Sequence, residues 1–370
     1  MSRLVSLGRA AGGVGVTLGV AAAGAAVGFA AERYVVGRSL RGDDPYADEP
    51  LGMLRGAPHP VETDDGVRLH VEVDEPDEVA QPDIITIVFT HGYALNQDSW
   101  HFQRRDLRAR ARLVFWDQRS HGRSSSAPEG TVSYRRLARD LGQVVDEIAP
   151  DGPVVLAGHS MGGMAVLALA EERPELFGAR IAGLALVATS AKAVSLPGLG
   201  VPGPAGRLAH RLAPTVMATL ARRPELIERG RQAGSDLSYV LTRRYSFEEG
   251  GSPSLVEFTA AMNAATPLPV VADFLPLFAA NDRAKALEVV GGLPALIVGA
   301  TGDRLTPIEH SRALADELSE ATYVEVGGSG HMVMLERHEV VTNAIGELVD
   351  DVRTSAPDRT DQSKWWWRRR

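Results

Sequence analysis

Six short apolar runs recur along the chain, at 84–90, 112–116, 154–157, 181–188, 294–299 and 321–326. They are rich in Val, Ile and Leu and too short to be independent helices, so they read as buried strands. The segments between them carry a helical period. Ser133 is placed to cap a helix reaching about Ile148, with Leu137, Leu141, Val144, Val145 and Ile148 on one face. Residues 97–110 read as a charged surface helix, the Ala-rich run after Gly162 as a buried helix, and 336–352 as a closing helix. Residues 61–73 alternate around Asp65-Gly66, a hairpin signal. Strand and helix in alternation predict an α/β fold with a mostly parallel central sheet flanked by helices.

The alternation breaks between 191 and 287. That stretch is rich in Arg, Ala, Pro and Gly, with helix-like pieces at 204–220 and 255–265, and reads as a helical cap inserted over the strand ends. Met262, Phe274, Leu275, Leu277 and Phe278 either line a pocket or pack the cap onto the core, and packing is the expected role of any one of them.

The α/β core then divides into 61–190 and 288–353. Ahead of it lie a basic segment at 1–10, an uncharged Ala/Gly-rich stretch at 11–31, and a Pro-, Asp- and Gly-rich linker at 32–60. The length of 11–31 suits a membrane anchor. A cleaved signal peptide ending at Gly28-Phe29-Ala30 and a loosely attached helix are the other readings. Residues 354–370 form a polar tail ending Trp365-Trp366-Trp367-Arg368-Arg369-Arg370. Its two readings are a membrane-interface contact and a disordered end. A membrane-associated protein is expected, with secreted and cytoplasmic locations as alternatives.

Composition narrows the chemistry. A net charge of −8 over 370 residues, with no basic stripe in the body of the chain, argues against general nucleic-acid binding. There is no cysteine, so thiolate catalysis, disulfides and cysteine-based metal sites are excluded. Nothing in the sequence calls for a metal or organic cofactor, and nothing sets the oligomeric state.

The candidate chemistry centres on Gly158-His159-Ser160-Met161-Gly162, lying between a strand and a helix. In a G-x-S-x-G turn the serine sits at a sharp strand-to-helix corner, and the glycines are needed where strand and helix come close. Met161 then places its N–H at the helix start, where the dipole favours an anion. His91-Gly92-Tyr93 follows the first buried strand, and the Tyr93 N–H is a second oxyanion donor. Asp303 and His331 each sit just past a later strand, completing the order Ser…Asp…His. In that triad His331 takes the Ser160 proton and Asp303 holds the imidazole. His121 reads as a structural loop histidine, and His338, inside the last helix, is the second choice of base.

These features resemble the α/β-hydrolase fold family over about 61–352. The carriers are His91-Gly92-Tyr93, the Gly158 to Gly162 turn, Gly302-Asp303 and Gly330-His331. The Ser-Met-Gly-Gly turn and the Asp117-x-x-x-His121-Gly122-x-Ser124 loop look like the branch holding monoacylglycerol-lipase-like esterases, cofactor-free haloperoxidases and carbon–carbon bond hydrolases. The resemblance implies a serine nucleophile at Ser160, an acid at Asp303, a base at His331 and oxyanion donors at Tyr93 and Met161. It implies cleavage of a small-molecule or lipid-like carboxylic ester through an acyl-enzyme. A perhydrolase or carbon–carbon hydrolase sharing the triad, and a low-turnover ligand-binding scaffold, stand as alternatives.

Overall fold

The computed structural model describes residues 44–76, 84–194, 238–248 and 251–355. The expectations for 11–31 and 204–220, and for all but the first two residues of the tail, lie outside these. Among the described residues no single helix is long and apolar enough to cross a membrane.

Ten strands are described. The first four are β1 (Ala57–Pro58), β2 (Val61–Glu62), β3 (Arg68–Leu69) and β4 (Val71–Asp74). Then follow β5 (Thr86–Thr90), β6 (Arg112–Trp116), β7 (Val154–His159), β8 (Ile181–Val187), β9 (Ala295–Ala300) and β10 (Thr322–Val326). Eight of them form one sheet in the order β1-β4-β6-β5-β7-β8-β9-β10. From β6 to β10 the pairing is parallel, with β1 and β4 antiparallel at one edge. The remaining two make the expected hairpin, closed at Gly66, whose φ is +81°.

Across the middle of the sheet the apolar runs divide by period two. Val88, Val114, Leu156, Leu184 and Leu186 face one core layer. Ile87, Phe89, Phe115, Val155 and Val187 face the other. Strands buried on both faces need helices on both sides. One side is covered by α2 (Tyr134–Ile148) and α3 (Met161–Glu172), the other by α1 (His101–Leu107) and, beyond the cap, α9 (His338–Ser355). Ser133 caps α2 as its position predicts, accepting from the Arg136 N–H at 3.2 Å.

Two expectations need correcting. The stretch at 97–110 is not a surface helix. It is a 3₁₀ turn (Gln97–Trp100) leading into α1, and His101, Phe102, Gln103, Arg104 and Leu107 are buried. Arg104 is tolerated there because Asp74 grips its guanidinium at 2.8 and 3.0 Å and Glu72 lies 2.7 Å away. Residues 44–60 are likewise packed rather than a linker. Ala57 and Pro58 pair with β4. Glu49 meets His101 at 2.9 Å and Arg105 at 3.0 Å. Asp44 accepts from the Ser254 N–H at 2.8 Å, satisfying an orphan donor at the start of a cap helix.

That cap helix is α4 (Pro253–Ala265), followed by α5 (Leu268–Ala279), bent 99° from it, and α6 (Ala284–Val290). With residues 238–246, also helical, these make the described part of 191–287 helical and strand-free. Phe274, Leu277 and Phe278 join the core layer of α2 and α3, and Met262 joins the other, so the cap is anchored by packing. The boundary expected at Leu287 falls inside α6, whose Ala286 and Val290 belong to the core. Two short helical elements follow β9 and β10, α7 (Ile308–Glu317) and α8 (Val333–Glu336).

Candidate active site

Ser160 joins β7 to α3 with φ 53° and ψ −118°, a backbone position strained by roughly 1–3 kcal/mol for a non-glycine residue. The strain is held by the neighbours on both sides. The Ser160 N–H donates to the Val187 carbonyl at 3.0 Å, and Thr189 Oγ1 donates to the Ser160 carbonyl at 2.6 Å. A Cβ at Gly158 would lie 2.6 Å from the Gly163 Cα, and one at Gly162 would strike the Thr90 carbonyl oxygen. The turn therefore needs hydrogen at both positions, as the motif implies.

Met161 opens α3, and its N–H has no acceptor among the described residues. The same is true of the Tyr93 N–H. The loop carrying Tyr93 is set by a clamp. His91 Nε2 accepts from the Gln118 N–H at 2.9 Å, so the ring proton is on Nδ1, which donates to the Gly92 carbonyl at 2.7 Å. Gln118 returns a bond to the His91 carbonyl at 2.7 Å. Burial pushes the His91 imidazole down to about 3, with the nearby His121 adding to the effect, so the clamp stays neutral. The Tyr93 hydroxyl donates to the Val271 carbonyl of α5 at 2.5 Å, tying this loop to the cap.

Asp303 follows β9, and His331 follows β10. His331 Nδ1 lies 2.8 Å from Asp303 Oδ2. A carboxylate accepts only, so Nδ1 carries a proton, and in the neutral ring the lone pair is on Nε2. The other carboxylate oxygen, Oδ1, accepts from the N–H groups of Leu305 and Thr306 at 2.8 and 2.9 Å. Thr306 Oγ1 stands 2.8 Å from Asp303 Oδ2, 2.9 Å from the Ala188 carbonyl oxygen and 3.3 Å from His331 Nδ1. The His331 loop is braced by Glu336, which accepts from the Gly330 N–H at 2.6 Å and Ser329 Oγ at 3.1 Å. Burial raises the affinity of Glu336 for a proton. The Gly302 N–H donates to the Ser329 carbonyl at 2.9 Å, joining the Asp303 and His331 loops directly.

The fold thus brings Asp303 into contact with His331. It does not close the remaining link: Ser160 Oγ and His331 Nε2 make no hydrogen bond among the described residues. Such contacts are often open before substrate binds. His121 is buried, with Nδ1 3.0 Å from the Arg119 carbonyl oxygen and its ring edge-on to Phe274 at 4.8 Å. Burial lowers it to about 4. His338 stacks on Phe102 at 3.9 Å, with Tyr46 on its edge, and serves packing. Thr306, Glu336, Gln118 and Thr189 were not singled out from sequence. Only Thr306 left a local signal, since Asp-x-x-Thr is the spacing of a carboxylate that caps a turn. Among the described residues no three His, Asp or Glu side chains converge where an ion would sit.

Residues 87–344 match the model of the alpha/beta hydrolase family. The chain is 26% identical over 266 residues to the AB hydrolase superfamily protein YisY of Bacillus subtilis, covering 71% of this chain and 90% of that one. Among solved structures it is similar to a thermophilic esterase from Thermogutta terrifontis, with TM-score 0.60, 23% identity, and 80% and 99% of the two chains covered. It is similar too to the enol-lactonase from Burkholderia xenovorans, with TM-score 0.60, 22% identity, and 77% and 97% covered. At these identities the structures speak for the fold, and together with the family match they support a hydrolase. With the parallel sheet, the strained serine turn and a family match spanning most of both halves of the core, the chain belongs to the alpha/beta hydrolase family.

Proposed function

We propose that the protein is a serine esterase. In this reading Ser160 Oγ attacks the ester carbonyl and gives its proton to His331 Nε2. The Met161 and Tyr93 N–H groups receive the oxyanion, and His331 returns the proton to the leaving alcohol. Water, activated by the same nitrogen, then releases the acid from the acyl-enzyme. Asp303 holds the imidazole in the Nδ1–H form and stabilises the imidazolium. The observation that carries the reading is the 2.8 Å contact between His331 Nδ1 and Asp303 Oδ2, which in the neutral imidazole puts the free lone pair on Nε2. The unengaged amides of Met161, next to the serine, and of Tyr93, on the loop that packs against the serine turn, add to it. An ester is favoured over other acyl substrates because two of the similar structures are named as an esterase and an enol-lactonase, and a lactone is a cyclic ester.

The open Ser160–His331 link favours one other reading, a ligand-binding scaffold that acylates slowly. A fluorophosphonate probe on the full-length protein separates the two, alongside Ser160→Ala and a series of p-nitrophenyl acyl esters. Labelling and turnover that both vanish with Ser160→Ala support the esterase. Labelling without turnover of any ester supports the scaffold, and a folded wild type that does neither overturns the nucleophile assignment.

A further inference from the structure

The base loop has a long way to reach. His331 follows β10, while Ser160 follows β7, and β8 and β9 lie between them in the sheet. Three strand spacings amount to about 14 Å. The loop at 327–332 is tied to the Asp303 loop through Ser329, to the cap through the Met332 N–H and Ser246, and to Glu336. Among the described residues one hydrogen bond runs from this loop to the strand that carries the serine. It joins His159 Nε2 to the His331 carbonyl oxygen at 3.0 Å.

His159 is an uneconomical residue for a purely structural place. It is fully buried. Its Nε2 faces a carbonyl, which only accepts, so Nε2 carries the proton. The ring is then left with a bare Nδ1, and that nitrogen has no partner among the described residues. An apolar side chain of similar size would fill the site without stranding an acceptor. The ring is also wedged. A Cβ on Gly92 would lie 2.8 Å from Nδ1, Trp100 stands edge-on at 6.3 Å, and the His331 ring lies 4.7 Å away at 51°. His159 therefore touches the oxyanion loop and the base loop while adjoining the nucleophile in sequence. Burial holds its affinity for a proton well below the ordinary histidine range, so it stays neutral when His331 becomes a cation.

We propose that His159 is a positioning residue: its Nε2–H, bonded to the His331 carbonyl, anchors the base loop to the serine turn and sets where the His331 imidazole meets Ser160. The proposal rests on the reading of Ser160 and His331 as nucleophile and base. A displacement of about 1 Å at such a meeting point lowers rate on the order of 100-fold while leaving substrate binding largely alone.

The test compares two nearly isosteric variants of the full-length protein, His159→Gln, which keeps an N–H donor at similar reach, and His159→Met, which has none. The readouts are kcat and KM for p-nitrophenyl butyrate, the fluorophosphonate labelling rate and the melting temperature. The Met variant is expected to lose about 30-fold in kcat and in labelling rate with KM within about twofold, and the Gln variant to stay within about threefold of wild type. Equal loss in both folded variants, or a Met variant as fast as wild type, overturns the proposal. A long-range ¹H–¹⁵N spectrum of the wild type adds a check independent of folding: His159 is expected as the neutral Nε2–H tautomer at neutral pH, and a Nδ1–H or charged ring overturns the proposal. If the wild type shows no Ser160-dependent labelling, the nucleophile reading fails and this inference with it. If the wild type labels and the Met variant labels equally, only this inference fails.

Discussion

On the acid side of the site, every carboxylate oxygen has found a donor. Asp303 takes two backbone N–H groups on one oxygen and meets Thr306 and His331 on the other, while Glu336 braces the loop from behind. On the nucleophile side, the Ser160 hydroxyl and the Met161 and Tyr93 amides have no partner among the described residues, and the serine backbone is strained. The difference follows from what each side must do. The acid keeps the same partners throughout the proposed reaction, so its bonds can be completed in the resting protein. In the same proposed reaction the Met161 and Tyr93 amides take up their partner only when charge develops on the substrate, and donors left open and fixed in advance need no rearrangement at that moment.

The comparison breaks most sharply at Asp303. Asp303→Asn is expected to lower kcat for an acyl ester by about 10³–10⁴-fold, because an amide can donate to Nδ1 and turn the imidazole into the wrong tautomer. The chain should stay folded, which circular dichroism and the melting temperature check. A smaller effect is expected from Thr306→Val. Asp303 keeps its two backbone donors and its contact with His331, so only one support is lost, and kcat should fall about tenfold, the equivalent of one hydrogen bond to a charged group. A Thr306→Val variant as slow as Asp303→Asn would mean that the hydroxyl, not the carboxylate, sets the imidazole.

A third expected effect concerns stability rather than rate. The nucleophile side is rimmed by His91, His121 and His159, all held neutral by burial. For His121 the folded chain binds a proton only near pH 4, against 6.5 for the free side chain. Between those values the unfolded chain binds more protons, so stability present above pH 6.5 is lost as pH falls. His121→Phe removes that dependence. In urea unfolding its stability relative to wild type should rise by about 1.4 kcal/mol per pH unit on going from 6.5 towards 4. A difference that stays flat with pH would show that His121 is reached by water.

Much of this was legible along the chain because the governing constraints are short. The run at 112–116 became β6, and Ser133 capped α2, since strand length and capping are decided within a few residues. The need for glycine at 158 is likewise local, because a Cβ there would meet Gly163, whereas the need at 162 comes from the Thr90 carbonyl of β5. What could not be read locally was pairing at a distance. The stretch at 44–60 has a linker's composition, yet Asp44 finds the start of a helix 210 residues on and Glu49 finds His101. The charges at Arg104 and Arg105 suggest a surface helix until Asp74, Glu72 and Glu49 are seen beside them.

By itself, then, the sequence determined the alternation of strand and helix, the serine turn and the short list of acidic and basic side chains at strand ends. The tertiary structure decided which of them meet. It put Asp303 against His331, turned His121 and His338 to packing, and joined His159 to a loop 172 residues away. The physical reason is that backbone preference acts between near neighbours, whereas a hydrogen bond is directional and short. Its partner is known only once the sheet has set the distances between segments far apart in the chain.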